Sequence, residues 1–311
     1  MSESTRTAPD HSDHSNTATT AITYAVPATF VLAWSSAYII GAIGIDSTPP
    51  FTLTFLRFAL AALVMLAIAV GTRASWPRTL AEAGHIPVAG VLVQAVQFLG
   101  VFAGINAGVP PAISALVLGM NPVLTALLAH RFLGERTTAR QRWGFALGVV
   151  GVVLAVANGL RWSTHIFTGI GFTVIAVLAI SGGTVYQKRF CPSMDLRSGQ
   201  ALQLGASTVV AGLCAITFEH PHTTDPRTLG LSVTWLALVN SIGAVSLLYV
   251  MIRRGQAGRA SSLFFLVPSV TAAMSALTLH QPLAALAIAG FAVSATGVAL
   301  ASFRSSHRPE R

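Results

Sequence analysis

Apolar residues in this chain do not alternate with polar ones on the scale of a surface helix; they come in unbroken runs separated by short polar breaks. Ten such runs can be read, at about 22–43, 51–71, 86–105, 112–130, 142–159, 167–187, 198–218, 229–251, 260–279 and 283–302. Each is close to the roughly 20 residues needed to cross a bilayer as a helix. Several breaks carry Pro or Gly, as at Pro49-Pro50, Gly108 to Pro111 and Gly255 to Gly258, and none is long enough to hold a soluble domain. The pattern predicts an all-α polytopic membrane protein of ten transmembrane helices. Residues 1–21 are polar and lack the charged-then-apolar layout of a secretory signal, so the first run is expected to be a retained helix behind a disordered tail. His11, Asp13 and His14 lie in that tail, where a solvated segment is a simpler reading than a weak metal site.

The runs form two sets. Gly144–Ala155 reads GFALGVVGVVLA and Gly290–Ala301 reads GFAVSATGVALA, with seven of twelve positions identical at an offset of 146. The same offset takes Pro122 to Pro268, Thr125 to Thr271, Leu133 to Leu279, Arg57 to Gln203 and Gln94 to Asn240. Two five-helix units follow, 22–159 and 167–302, with a short tail at 303–311. Five is odd, so the second unit must enter the membrane upside down relative to the first.

Charge supplies an orientation. The N-terminal tail, the even-numbered loops and the C-terminal tail hold 16 Lys and Arg, against 2 in the odd-numbered loops, Arg161 and Arg227. By the positive-inside rule both termini are expected in the cytoplasm, in a cell inner membrane. The net charge of +9 is thereby accounted for at a membrane surface, and no nucleic-acid partner is implied. Inversion and charge agree: the Arg-rich 131–142 corresponds to 277–288, which holds no basic residue. Two cysteines, Cys191 and Cys214, offer neither a disulfide framework nor metal spacing.

Several stretches, in order, resemble one family: AWSSAYIIG, FLRFALAAL, and ISALVLGMNPVLTALLAHRFLGERTTARQRWGFALGVVGVVLA, echoed by ASSLFFLVPSVTAAMSALTLHQPLAALAIAGFAVSATGVALA. Together they resemble the EamA-type transporters of the drug/metabolite transporter superfamily. The resemblance implies a ten-helix carrier of small metabolites, often working outward. One departure stands out: His280-Gln281 occupies the place of the family's usual Gly-Glu, which the first copy keeps as Gly134-Glu135.

Polar side chains inside a span are costly and tend to face a bundle interior or a water-filled cavity. Candidate substrate-binding residues are Trp34 and Tyr38 on one face of the first span, Gln94 with Gln97 in the third, and Asn121 in a stripe with Ser114 and Thr125. Ser181 with Thr184, and Asn240 with Ser241, complete the set. Each Ser or Thr could instead bond back to its own helix, and each amide could bridge two helices. Arg57 is the charged residue well inside a span, with no carboxylate in the spans to neutralise it. Its expected partners are carbonyls, water or a substrate anion, and its role is either carboxylate binding or clamping the bundle. Pro122 and Pro268, at mid-span in both copies, break the backbone ladder and mark a hinge or cavity, with the carbonyls of Leu118 and Phe264 expected to be freed. Spans five and ten carry small residues at helical spacing, Gly144, Gly148, Gly151 and Gly290, Ser294, Gly297. These suit close packing away from the cavity, and the same faces could serve a homodimer.

No Asp, Glu or His is expected deep in a span, which favours a uniporter or gradient-following exporter over a proton antiporter. No cofactor, metal or catalytic set is expected. The reading is a secondary carrier in the lipid bilayer, exporting a small-molecule substrate such as an amino acid or derivative by alternating access. The rivals are an exporter of hydrophobic drugs on the same fold, an intramembrane enzyme, and a non-transporting scaffold.

Overall fold

In the computed structural model, residues 13–134, 138–157, 164–253, 263–264, 266–281 and 285–302 are described. Glu135, Arg136, Arg161, Arg254, Arg259, residues 255–258 and residues 303–311 lie outside them. All regular structure among the described residues is helical, with no strand. In order they form α1 (Asp13–Ile45), α2 (Pro50–Gly71), α3 (Leu80–Gly90), a π-helical segment Val91–Val96, α4 (Gln97–Asn106), α5 (Pro111–Leu118), α6 (Asn121–Leu133), α7 (Ala139–Ala157) and α8 (Thr164–Phe190). The second half continues with α9 (Leu196–Phe218), α10 (Pro226–Trp235), a second π-helical segment Leu236–Ala244, α11 (Val245–Arg253), α12 (Leu266–Thr278) and α13 (Ala285–Ser302). Among the described residues, seven helical stretches are long and apolar enough to cross a membrane. With α7, α12 and α13 they make up the expected ten.

Local chemistry sets the ends of these helices. Pro50, Pro111 and Pro226 open α2, α5 and α10 at the first turn, where the missing N–H costs nothing. Gly134 closes α6 with φ +72°, the left-handed cap that glycine takes without strain. The third span begins at Leu80, earlier than the apolar run suggested, because Thr79 accepts a hydrogen bond from Glu82 N at 3.1 Å and starts the helix. Glu82 and His85 therefore sit on a helix, in its first two turns rather than deep in the span.

The inverted repeat is visible in the packing. α7 and α13 are equivalent by the offset of 146 and lie face to face. A Cβ on Gly151 would come 2.6 Å from the carbonyl oxygen of Gly290, and one on Gly297 would come 2.6 Å from the nitrogen of Gly148. Only glycine allows so close an approach. The small faces are thus occupied within the chain itself. α2 packs on α9, its own equivalent, as well. Leu63, Val70, Phe167, Ile216 and Phe218 are exposed large apolar residues, as a lipid-facing surface requires.

Loops that the charge count places on one side do meet at one end. Arg197 Nη1 donates to Thr72 O at 3.4 Å, Ser75 N to Asp195 Oδ2 at 3.4 Å, and Arg189 Nη1 to Phe132 O at 3.0 Å. There Arg197, hydrogen-bonded to Asp195, holds that carboxyl well below the usual range, at about 2. At the other end Glu219 receives Phe51 N at 2.7 Å and Thr52 N at 2.8 Å, capping α2, and Thr224 N donates to Ser47 O at 2.9 Å.

Candidate substrate cavity

A cavity of about 650 Å³ lies between the two halves. α7 and α13 contribute nothing to its wall, as their small-residue faces implied. The exposed residues Lys188 and Pro192 line one end, so the cavity opens where the basic loops gather. The opposite end is shut where α4 runs along α8: a Cβ on Gly100 would lie 2.6 Å from the carbonyl oxygen of Phe172. The inverted counterpart of that contact, α11 against α1, is far sparser.

Arg57 is the cavity's most unusual residue, 1% exposed. Its guanidinium carbon sits 3.8 Å from the centroid of the Phe98 ring, and Nε donates to Ser241 Oγ at 3.0 Å. Nη1 has no partner. The expected clamp on helix carbonyls is not found among the described residues; an aromatic face and a hydroxyl hold the group instead. Cation–π contact of this kind is worth about 0.5–2 kcal/mol. An unmet donor on a buried charged group costs about 1–3 kcal/mol or more. Among the described residues, none that lines the cavity is acidic.

Gln94 and Asn240 both line the cavity, and each falls in a π-helical segment. Those segments are themselves equivalent by the offset of 146, since Val91–Val96 maps into Leu236–Ala244. A π-turn shifts the register of the residues after it and recurs at functional sites. In the second segment Ser241 Oγ donates to Leu236 O, five residues back, at 3.1 Å, leaving a lone pair for Arg57. Asn240 Nδ2 donates to Ala33 O and to Ser36 Oγ, the latter at 3.3 Å, tying it to α1. Gln94 makes no side-chain hydrogen bond to the described residues, which leaves its amide to the cavity.

Trp34 and Tyr38 share the expected face of α1 and both line the cavity. Trp34 meets Phe264 edge-on at 5.0 Å, forming an apolar wall. Asn121 lines the cavity beside Pro122, at the start of α6. Ser181 does not reach the wall. It is fully buried and donates to Asn121 Oδ1 at 2.9 Å, as Thr125 does at 2.9 Å, so it positions Asn121. Ser114 is also away from the wall, because the chain breaks between α5 and α6 and interrupts the stripe with Asn121. Pro268 borders a separate small pocket, and the Phe264 carbonyl near it is not free: it accepts Val267 N at 3.3 Å.

The helix breaks repeat the inversion. Ser181 bonds to Asn121 at the break before α6, and its equivalent Ser35 donates to Val267 O at 3.3 Å at the break before α12. Sequence reading did not single out Phe98, Phe264, Gln187 or Gln200 on the wall. The two aromatics carry no signal in an apolar run. Gln203 was legible as the counterpart of Arg57, and its Nε2 donates to Gln187 Oε1 at 3.1 Å.

Sequence comparison places this architecture. The EamA-like transporter family matches twice, over residues 20–157 and 167–303. The chain belongs to the EamA-like transporter family. It is 27% identical, over 86% of its length and 90% of the relative's, to a probable amino-acid metabolite efflux pump of Escherichia coli. It is 30% identical, over 89% of its length and 92% of the relative's, to a probable terminal-alkyne amino-acid exporter of Streptantibioticus cattleyicolor. A crystal structure at 20% identity shares the fold, with a TM-score of 0.64 over 89% of this chain and 94% of that one. The protein is a multi-pass membrane transporter of this family.

Proposed function

We propose that this transporter exports a small polar metabolite of the amino-acid class by alternating access, with the cargo's carboxylate held at Arg57. The observation that carries the reading is a guanidinium 1% exposed on the cavity wall, with no acidic lining residue and no partner for Nη1 among the described residues. A carboxylate matches that fork in charge and geometry. The names of the relatives, an amino-acid metabolite efflux pump and an amino-acid exporter, support the same class. The cavity opens beside Lys188, among the basic loops, which the positive-inside rule assigns to the cytoplasm. Loading from that side suits export. The tight α4–α8 contact at the far end, set against its loose inverted counterpart, suits a carrier that exchanges one closure for the other.

The apolar part of the wall, with Trp34, Phe98 and Phe264, favours a hydrophobic drug as a second reading. In that reading the unpartnered cation has no use. The test compares metabolites released by cells overproducing the protein with those released by cells lacking it, alongside the Arg57→Gln variant at equal membrane levels. Release of an amino acid or derivative that disappears in Arg57→Gln is expected. Unchanged amino-acid release, with efflux of neutral lipophilic compounds instead, would overturn the proposal.

A further inference from the structure

We propose that Arg57 and Asn240 form a two-pole head-group subsite that selects a zwitterion, an α-amino acid with a free ammonium group and an apolar side chain. The inference rests on the carboxylate reading of Arg57 and adds the second pole. Two buried atoms of cavity-lining residues lack any hydrogen-bond partner, and they are opposite in character. Arg57 Nη1 is a charged donor; Asn240 Oδ1 is an acceptor, on a residue only 6% exposed. The remaining such atoms among the described residues, Ser114 Oγ and Thr271 Oγ1, belong to residues off the wall.

The chemistry of its neighbours fixes which way the Asn240 amide faces. Its amino end lies against Ala33 O, which can only accept, so the N–H must point there. Ser36 Oγ gives its own hydrogen to Ala33 O at 2.7 Å and receives Trp235 Nε1 at 2.9 Å. It therefore meets the second Asn240 N–H as an acceptor as well. The carbonyl oxygen of Asn240 is left as a buried acceptor that no rotation can turn into a donor. An ammonium group supplies what it lacks.

The two poles are linked through one residue. Asn240 immediately precedes Ser241, whose hydroxyl accepts Arg57 Nε at 3.0 Å. An α-amino acid carries its ammonium and carboxylate on a single carbon, so a donor and an acceptor brought to one stretch of the wall through Ser241 suit it. Removing either group from the cargo leaves one pole buried and unpaired. The wall formed by Trp34 and Phe264 gives the side chain an apolar seat.

The test uses the purified full chain in detergent and three probes of one shape: L-leucine, 4-methylpentanoate without the amine, and 3-methylbutylamine without the carboxylate. Calorimetric titration is expected to show leucine binding, with each analogue weaker by roughly tenfold or more, since each leaves a buried pole unmet. In Asn240→Leu the preference for leucine over 4-methylpentanoate is expected to vanish while the preference over 3-methylbutylamine stays; Arg57→Gln should do the reverse. Equal affinity of the unaltered protein for leucine and 4-methylpentanoate would overturn the subsite without any variant having to fold. Export that still depends on Arg57 would then keep the carboxylate reading alone. Failure to bind leucine or any other α-amino acid would overturn both.

Discussion

Gln94 and Asn240 are equivalent by the offset of 146, yet the structure gives them unequal neighbours, and a matched pair of substitutions turns that into a measurement. Gln94→Leu and Asn240→Leu each replace an amide by an apolar group of similar size. Asn240 loses two hydrogen bonds to α1, at Ala33 O and Ser36 Oγ. Bonds between helices in a membrane average about 0.6 kcal/mol, with about 1.7 as an upper value. The expected cost is therefore at most roughly 1–2 kcal/mol, on the order of a few degrees in Tm, since the variant also removes the unmet Oδ1. Gln94 gives up no bond to the described residues, so its expected cost in stability is about zero. Cargo affinity should fall in both, by roughly 2–10-fold for each hydrogen bond lost. Thermal denaturation of the purified variants, with transport by reconstituted vesicles, separates the two effects. Equal destabilisation of both variants, or unchanged cargo affinity in both, would refute the reasoning and leave the amides as helix ties.

A cysteine at Thr138 is expected to resist impermeant thiol reagents added outside intact cells, while one at Thr223 reacts, both in a protein whose own Cys191 and Cys214 are serine; the opposite pattern would invert the topology. Transport in proteoliposomes is expected to persist without a proton gradient, because Glu82 and His85 lie in the first two turns of α3 rather than deep in a span; strict dependence on the gradient would expose a coupling group outside this account. Glu219→Ala removes a carboxylate that accepts two backbone N–H groups and the Thr52 hydroxyl at the start of α2. A loss of about 1–2 kcal/mol is expected, and an unchanged melting temperature would show the cap to be idle.

Much of the fold was legible because membrane burial leaves a coarse pattern. Apolar runs gave the spans, and the repeated GFA…GV…LA stretch gave the inversion. Small residues at Gly144, Gly148 and Gly151 marked the seam with α13, since only such residues let two backbones approach so closely. The start of α3 was legible too, in Thr79 followed by Glu82, a capping pair that the apolar run obscured. The π-helical segments were not legible. No local residue pattern announces them, and the contact of Asn240 with α1 spans 207 residues of sequence. Phe98 and Phe264 looked like any aromatic in an apolar stretch, and only the fold sets one beneath Arg57 and the other against Trp34. Ser181 was legible as polar, but its action through Asn121 is a contact between residues 60 apart.

Where the two halves match and where they differ follows a physical division. A contact that must serve both inverted arrangements is made by like residues in each half: Gly151 with Gly290 mirrors Gly297 with Gly144, and Ser181 at one helix break mirrors Ser35 at the other. On the cavity wall the two halves differ in chemistry: Arg57 faces the inversion as Gln203, Trp34 as Ile180, Tyr38 as Thr184 and Asn121 as Val267. A cargo with distinct ends is itself asymmetric, so the groups that bind it cannot be mirrored without loss. Charge shows this most sharply. A guanidinium at both poles of one desolvated cavity would repel its twin and call for a dianion, whereas a single one, with a neutral amide as its counterpart, suits a single carboxylate. On the proposed reading the repeat supplies the moving parts, and its violations locate the cargo.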